Sequence, residues 1–331
     1  MSNMSKGNDN TAKAADSAIF EWNPAELIKG RPQSADKAVS QLGSAGFALV
    51  VLNQPLHHLD VTRRLWDNAQ VRVAADGGAN ALYEAAGEHG DSCFDDLAVI
   101  IGDLDSLTPA VRSYYESHKP TGPKTRVIRD PDQYSTDFGK AVAYIRQQHS
   151  HTTTATTTTA TTTTASSEPQ THPNDDSSIT NQPLDIVAIG GLGGRVDQGL
   201  SQLHHLYLFQ RGADYADGRV YLFSGESLTF LLKPGRHRIR VRDANRDSGG
   251  AGDGDGDGVS GTGDVFGKHV GILPVGGPSR ITTSGLEWDV SDWETWFGGP
   301  MSTSNHVLPT TEVVEVETTA EVLFTIALRQ G

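Results

Sequence analysis

Cysteine is nearly absent from this chain: Cys93 is the only one in 331 residues. A lone thiol excludes an intramolecular disulfide framework and an all-cysteine zinc site, and it fits a reducing compartment. Long apolar runs are missing as well. No window approaches the roughly 18 uninterrupted apolar residues of a transmembrane helix. The opening stretch MSNMSKGNDNTAKAADSAIF has no apolar segment of the secretory kind. Positive charge is scarce, with 27 Lys and Arg against 41 Asp and Glu and a formal net charge of −14. That deficit argues against nucleic acid or an anionic membrane surface as partner, because both recruit basic patches. Aromatic residues reach 7% and hydrophobic residues 36%, low for a chain packed along its whole length. A soluble cytoplasmic protein with unfolded stretches is the expectation.

Three segments carry that low-complexity share: a polar, flexible N-terminal extension over residues 1–45, a Thr/Ala-rich insertion at about 149–183, and a Gly/Asp-rich insertion at about 243–264. None has the apolar content to offset its ordering entropy. The last one matches a calcium-loop spacing from Asp253 through Asp255, Asp257 and Gly258 to Asp264. Ser260 stands where that loop needs an apolar residue and no flanking helices are visible, so the match reads as repetition. His204 and His205 lie in an amphipathic helix without metal-ligand spacing and read as packing or surface residues. Cys93 has no catalytic context.

What remains is organised as two domains. Over residues 46–225, apolar runs such as GFALVVLN, VRVAADG, DLAVIIGD and LDIVAIGG alternate with amphipathic stretches, and Pro109 suits a first helical turn. Strands that are apolar throughout, alternating with helices, predict a Rossmann-like α/β domain with a parallel sheet covered on both faces. Over residues 226–331, short strands separated by Gly and Pro follow one another without helices, which predicts an all-β sandwich.

In a parallel sheet, ligands bind beyond the carboxyl ends of the strands. Four such ends carry polar clusters: ADGGAN, GDLDS, RDPDQYSTD and GGLGGRVDQ. Asp103 and Asp105 project to one side if the extended conformation continues past Gly102. Two such carboxylates conflict unless a hard cation such as Mg²⁺ joins them; a capped polar turn is the competing reading. Ser135 and Thr136 are natural N-caps, which puts Asp137 in a first helical turn with Lys140 on the same face. That arrangement suits a metal-bound polyphosphate as well as an ordinary ion pair. GGLGGRVDQ is neither a dinucleotide fingerprint nor a P-loop, but Arg195 offers a planar fork for phosphate oxygens, and Asp197 can orient it or join a metal shell. In the β domain, Trp288 can stack on a cationic ring or fill a core.

Together, DGGAN, GDLDS, DQYSTDFGKAV, GGLGGRVDQ, SGLEWDV and STSNH resemble, in order, the motifs of the thiamine pyrophosphokinases, with the low-complexity insertions of a eukaryotic, fungal-like member. The resemblance spans roughly residues 46 to 331 apart from the two insertions. It implies an Mg²⁺-dependent transfer of pyrophosphate from ATP to the hydroxyl of thiamine, giving thiamine diphosphate and AMP, in a homodimer with sites between subunits. It further implies Asp103, Asp105 and Asp137 as metal ligands and, with Arg195, as catalytic residues. ATP would meet Asp76, Gln133, Thr136, Lys140, Arg195 and Asp197, and thiamine would meet Trp288, Ser302, Ser304 and Asn305. Gln198 stands where many members have histidine, and Tyr134 where an acidic or small residue is common. Two other readings compete: a metal-dependent nucleotide-sugar glycosyltransferase using the Asp103–Asp105 pair, and a nucleotide-binding protein without turnover. The first leaves GLEWD and STSNH without a task.

Overall fold

The computed structural model describes residues 19–30, 46–89, 94–117, 123–157, 183–243 and 264–329. In chain order the first elements are β1 (Ile19–Trp22), α1 (Glu26–Lys29), β2 (Phe47–Val51), α2 (Leu59–Asn68), β3 (Val71–Ala75) and α3 (Gly78–His89). Next come β4 (Val99–Gly102), α4 (Pro109–Ser117), β5 (Arg126–Arg129), α5 (Asp137–Thr157), β6 (Asp185–Ile189) and α6 (Val196–Leu208). Strands alone follow: β7 (Val220–Phe223), β8 (Ser227–Leu232), β9 (Gly235–Arg240), β10 (Phe266–Leu273) and β11 (Ser279–Ser284). The last four are β12 (Trp293–Thr295), β13 (Ser302–His306), β14 (Val313–Thr318) and β15 (Val322–Leu328).

A ten-stranded sheet of order β13-β10-β15-β8-β7-β6-β2-β3-β4-β5 runs through the molecule. Its β7-to-β5 half is parallel throughout, and its other half is antiparallel. The fully buried strands FALVV, VIIG and DIVAI build the parallel half, as their unbroken apolar character requires. Alternation along β2 sends Leu49 and Val51 into a core with α2, α3 and α4, and sends Ala48 and Val50 to the opposite face with α5 and α6. On the first of these faces a five-stranded sheet, β1-β9-β14-β11-β12, covers the antiparallel half. The α/β domain and the β-sandwich therefore share one continuous sheet. No helix among the described residues is long and apolar enough to cross a membrane.

The polar N-terminal extension needs a correction. Residues 19–22 form β1, paired in parallel with β9, and Trp22, Leu27 and Ile28 are buried. The Trp22 ring stacks on Phe230 at 4.5 Å. A four-residue strand whose partner lies more than 200 positions away leaves no local periodicity to read. At the first insertion, α5 continues as far as Thr157. The rest of that insertion, residues 244–263 of the second, and Cys93 lie outside the described residues.

Candidate active site

The site is assembled where β3, β4 and β5 end. Pairing of Ala75 with Ile101 places Asp76 beside Gly102, and the Asp76 amide donates to the Ile101 carbonyl at 2.9 Å. Asp76 turns with φ 44, and the Ser106 amide donates to its Oδ2 at 3.1 Å. From β5 the chain crosses a loop held by its own side chains. The Asp132 amide donates to Asp130 Oδ1 at 3.1 Å, the Tyr134 amide to Asp132 Oδ1 at 2.9 Å, and Ser135 Oγ to Asp132 Oδ2 at 2.6 Å. Thr136 then caps α5, its Oγ1 accepting from the Gly139 amide at 3.1 Å. This cap aims Asp137 back over the end of β4, where its Oδ1 accepts from the Asp103 amide at 3.3 Å.

Carboxylate oxygens of Asp76, Asp103 and Asp137 all lie within 4.8 Å of one another. Lys140 Nζ sits 3.0 Å from Asp137 Oδ1, and its side chain is 2% exposed. Gln133 Nε2 reaches Asp103 Oδ2 at 3.4 Å. Burial pushes the Asp76 carboxyl above its ordinary value; the Ser106 amide opposes this, and the charge of Asp137 adds to it. Asp103 is held below the usual range, first by the hydrogen bond from the Asp105 amide. At Lys140 burial acts against the charge, but the hydrogen bond and charge of Asp137, with Asp103 and Asp130, outweigh it and raise the ammonium.

Three carboxylates and one ammonium leave an excess of negative charge, and Asp76 Oδ1 is buried with no hydrogen-bond partner. An all-oxygen donor set with an orphaned buried acceptor fits a hard divalent cation.

The structure moves one expected ligand out of this group. Leu104 adopts φ 67, so the extended conformation that would align Asp103 with Asp105 stops at Gly102, and the group within 4.8 Å takes Asp76 and not Asp105. The Asp105 carboxylate accepts from Ser106 Oγ at 3.0 Å, while its amide serves Asp103 Oδ1 at 3.1 Å. Asp76 stands in the place expected of Asp105. The available clue was position alone: Asp76 follows β3 as Asp103 follows β4.

Arg195 and Asp197 lie at the start of α6 and bind each other, with Nε–Oδ1 at 3.0 Å and Nη2–Oδ2 at 2.6 Å. Both are exposed, and neither belongs to the carboxylate group. The Asp197 carboxylate thus faces the guanidinium and not the carboxylate group. In the connection from β11 to β12, Trp288 is 56% exposed and its ring lies 5.1 Å from that of His306 on β13. Asn305 is buried and its amide is committed to the backbone, accepting from the Trp288 amide at 3.2 Å and donating to the Trp288 carbonyl at 2.9 Å. It braces Trp288 instead of presenting an edge to a ligand. Ser302 and Ser304 lie on β13, at the far edge of the ten-stranded sheet.

That edge is remote from the carboxylates. Between β13 and β3 stand β10, β15, β8, β7, β6 and β2, and at about 4.8 Å per strand the separation is on the order of 30 Å.

A family model described as "Thiamin pyrophosphokinase, catalytic domain" matches residues 62–215, and one described as "Thiamin pyrophosphokinase, vitamin B1 binding domain" matches residues 253–323. Similarity to thiamine pyrophosphokinase 2 of Arabidopsis thaliana is 34% identity over 294 residues, covering 86% of this chain and 87% of the relative. For thiamine pyrophosphokinase 3 of Oryza sativa subsp. japonica it is 32% over 296 residues, covering 86% and 88%. The fold is similar to that of the solved yeast thiamin pyrophosphokinase, with TM-score 0.67 and 24% identity over 98% of this chain and 95% of that one. Thiamin pyrophosphokinase from Candida albicans gives 0.65 and 23% over 96% and 95%.

Proposed function

This chain belongs to the thiamin pyrophosphokinase family, and on that premise we propose that it transfers pyrophosphate from ATP to the hydroxyl of thiamine. The products are thiamine diphosphate and AMP. The observation that carries this reading is the group formed by Asp76, Asp103 and Asp137 beside the buried ammonium of Lys140. Those three carboxylates would hold a divalent cation such as Mg²⁺, which when bound supplies positive charge to the oxygens of a polyphosphate.

The remaining tasks fall to the chain itself. Lys140 keeps its proton and offsets the carboxylate charge nearest the helix start. The first turn of α5 presents backbone N–H groups toward an anion. Gln133 steadies Asp103, and Arg195, held flat by Asp197, offers two parallel donors to phosphate oxygens. Placing the thiamine hydroxyl in line with the β-phosphorus, with AMP as leaving group, is a matter of positioning and charge more than of covalent chemistry.

For thiamine, the exposed Trp288 face suits a cationic thiazolium ring, with Ser302 and Ser304 on the neighbouring strand. A separation on the order of 30 Å between β13 and β3 supports a homodimer in which Trp288 of one subunit completes the carboxylate site of the other. The net charge of −14 suits a cationic acceptor, and a single cysteine suits a cytoplasmic setting. Glycosyl transfer and binding without turnover draw no support from these relatives.

Purified protein given ATP, Mg²⁺ and thiamine should release AMP and thiamine diphosphate in equal amounts. ADP as product, or AMP formation indifferent to thiamine, would overturn the reading.

A further inference from the structure

One hydrogen bond ties α6 to the first turn of α5. His205 Nε2 lies 2.8 Å from Thr136 Oγ1, and His205 Nδ1 lies 2.5 Å from the Ser201 carbonyl oxygen. A carbonyl can only accept, so Nδ1 carries the ring proton and Nε2 presents its lone pair. The Thr136 hydroxyl is therefore the donor to Nε2, and its oxygen is left to accept from the Gly139 amide. The proton and one of the two lone pairs of the N-cap hydroxyl are thus committed, and its rotamer is held from two directions. The imidazole is 3% exposed, with the rings of Phe138 and Phe209 at 5.2 and 5.0 Å. Burial, against the opposing Ser201 bond, pushes it below the ordinary histidine value, and this lowering keeps the accepting neutral form at neutral pH. Neither ring nitrogen of His205 hydrogen-bonds to the carboxylate group. What it touches is the residue immediately before Asp137, whose carbonyl also accepts the Lys140 amide at 2.9 Å.

We propose that His205 is a positioning residue for the reaction: it takes the Thr136 hydroxyl proton in a hydrogen bond and so sets the turn of α5 that aims Asp137 and Lys140. This rests on the phosphoryl-transfer reading above, since only there does the placement of that turn govern turnover. It also implies that the Thr136 side chain meets ATP as a fixed cap and not as a hydroxyl donor.

The test uses full-length protein and steady-state AMP formation, with thermal melting as the folding control. His205→Leu removes the acceptor at similar volume and lowers kcat/KM for ATP by about five- to tenfold, as expected for one buried neutral hydrogen bond, while KM for thiamine changes less than about twofold. His205→Gln, whose amide oxygen reaches the same hydroxyl, restores most of that loss. His205→Asn, too short to reach, does not, and the Gln–Asn comparison decides the matter if the leucine variant does not fold. Thr136→Val deletes this bond together with the cap on the Gly139 amide, so adding His205→Leu to it costs nothing further. Wild-type kcat/KM in His205→Leu, equal rates for the Gln and Asn variants, or multiplying losses in the double variant would each overturn the role. Wild-type protein without thiamine-dependent AMP would instead bring down the underlying function, a distinguishable result.

Discussion

Trp22 and His237, 215 positions apart, share a buried hydrogen bond of 3.0 Å from the indole Nε1 to the imidazole Nδ1. An indole N–H only donates, so Nδ1 holds the lone pair, and Nε2 donates to the Lys233 carbonyl at 2.7 Å. Only a neutral ring meets both demands. Burial lowers its pKa from 6.5 to about 4.

A pH dependence of stability follows, with a defined sign. Between about pH 4 and pH 6.5 the unfolded chain binds the proton that the folded chain refuses. Stability is therefore full above pH 6.5 and is lost as pH falls toward 4, by ~3 kcal/mol for this one group. Urea unfolding between pH 7.5 and 4.5 should show a steeper loss in wild type than in His237→Gln. Equal slopes would contradict the assignment.

Gly102 separates two of the site carboxylates. A Cβ there would lie 2.7 Å from Asp76 Cβ and 3.0 Å from Asp137 Oδ1. Gly102→Ala should therefore spread the group, cutting kcat by at least about tenfold while costing ~1–3 kcal/mol of folding stability. Kinetics beside thermal melts check this, and unchanged kcat in a folded variant would show that the spacing does not matter.

Asp76 contributes an orphaned buried oxygen to the group. Asp76→Asn should raise the Mg²⁺ concentration for half-maximal turnover by about tenfold or more, because one anionic ligand is gone. A wild-type Mg²⁺ dependence in this variant would remove Asp76 from the metal shell.

The proposed sharing of each site between two subunits is tested by mixing variants. Asp137→Asn and Trp288→Ala should each be inactive alone. Mixed and allowed to exchange subunits, they should recover about one quarter of wild-type activity, because half the dimers are hybrids with one intact site of two. No recovery would mean that Trp288 and Asp137 act in one chain.

The strand ends and the start of α5 were legible in the sequence because they depend on local chemistry. Apolar runs stop at Gly102 and Ile189, and Thr136 is the kind of residue that caps a helix. What stayed hidden depends on long-range geometry. The left-handed turn at Leu104 has no signature in its own side chain and cancels the alternation that aligned Asp103 with Asp105. Asp76 enters the group through the register of Ala75 with Ile101, which composition does not encode. β1 exists only because β9 offers it an edge, and His205 matters only because Thr136 lies across from it.

The most direct test follows the phosphorus atoms of ATP through one turnover. With ATP labelled at the γ-position, the label should appear in thiamine diphosphate; with label at the α-position, it should appear only in AMP. Label from the γ-position in inorganic phosphate, with ADP accumulating, would contradict pyrophosphate transfer at this site.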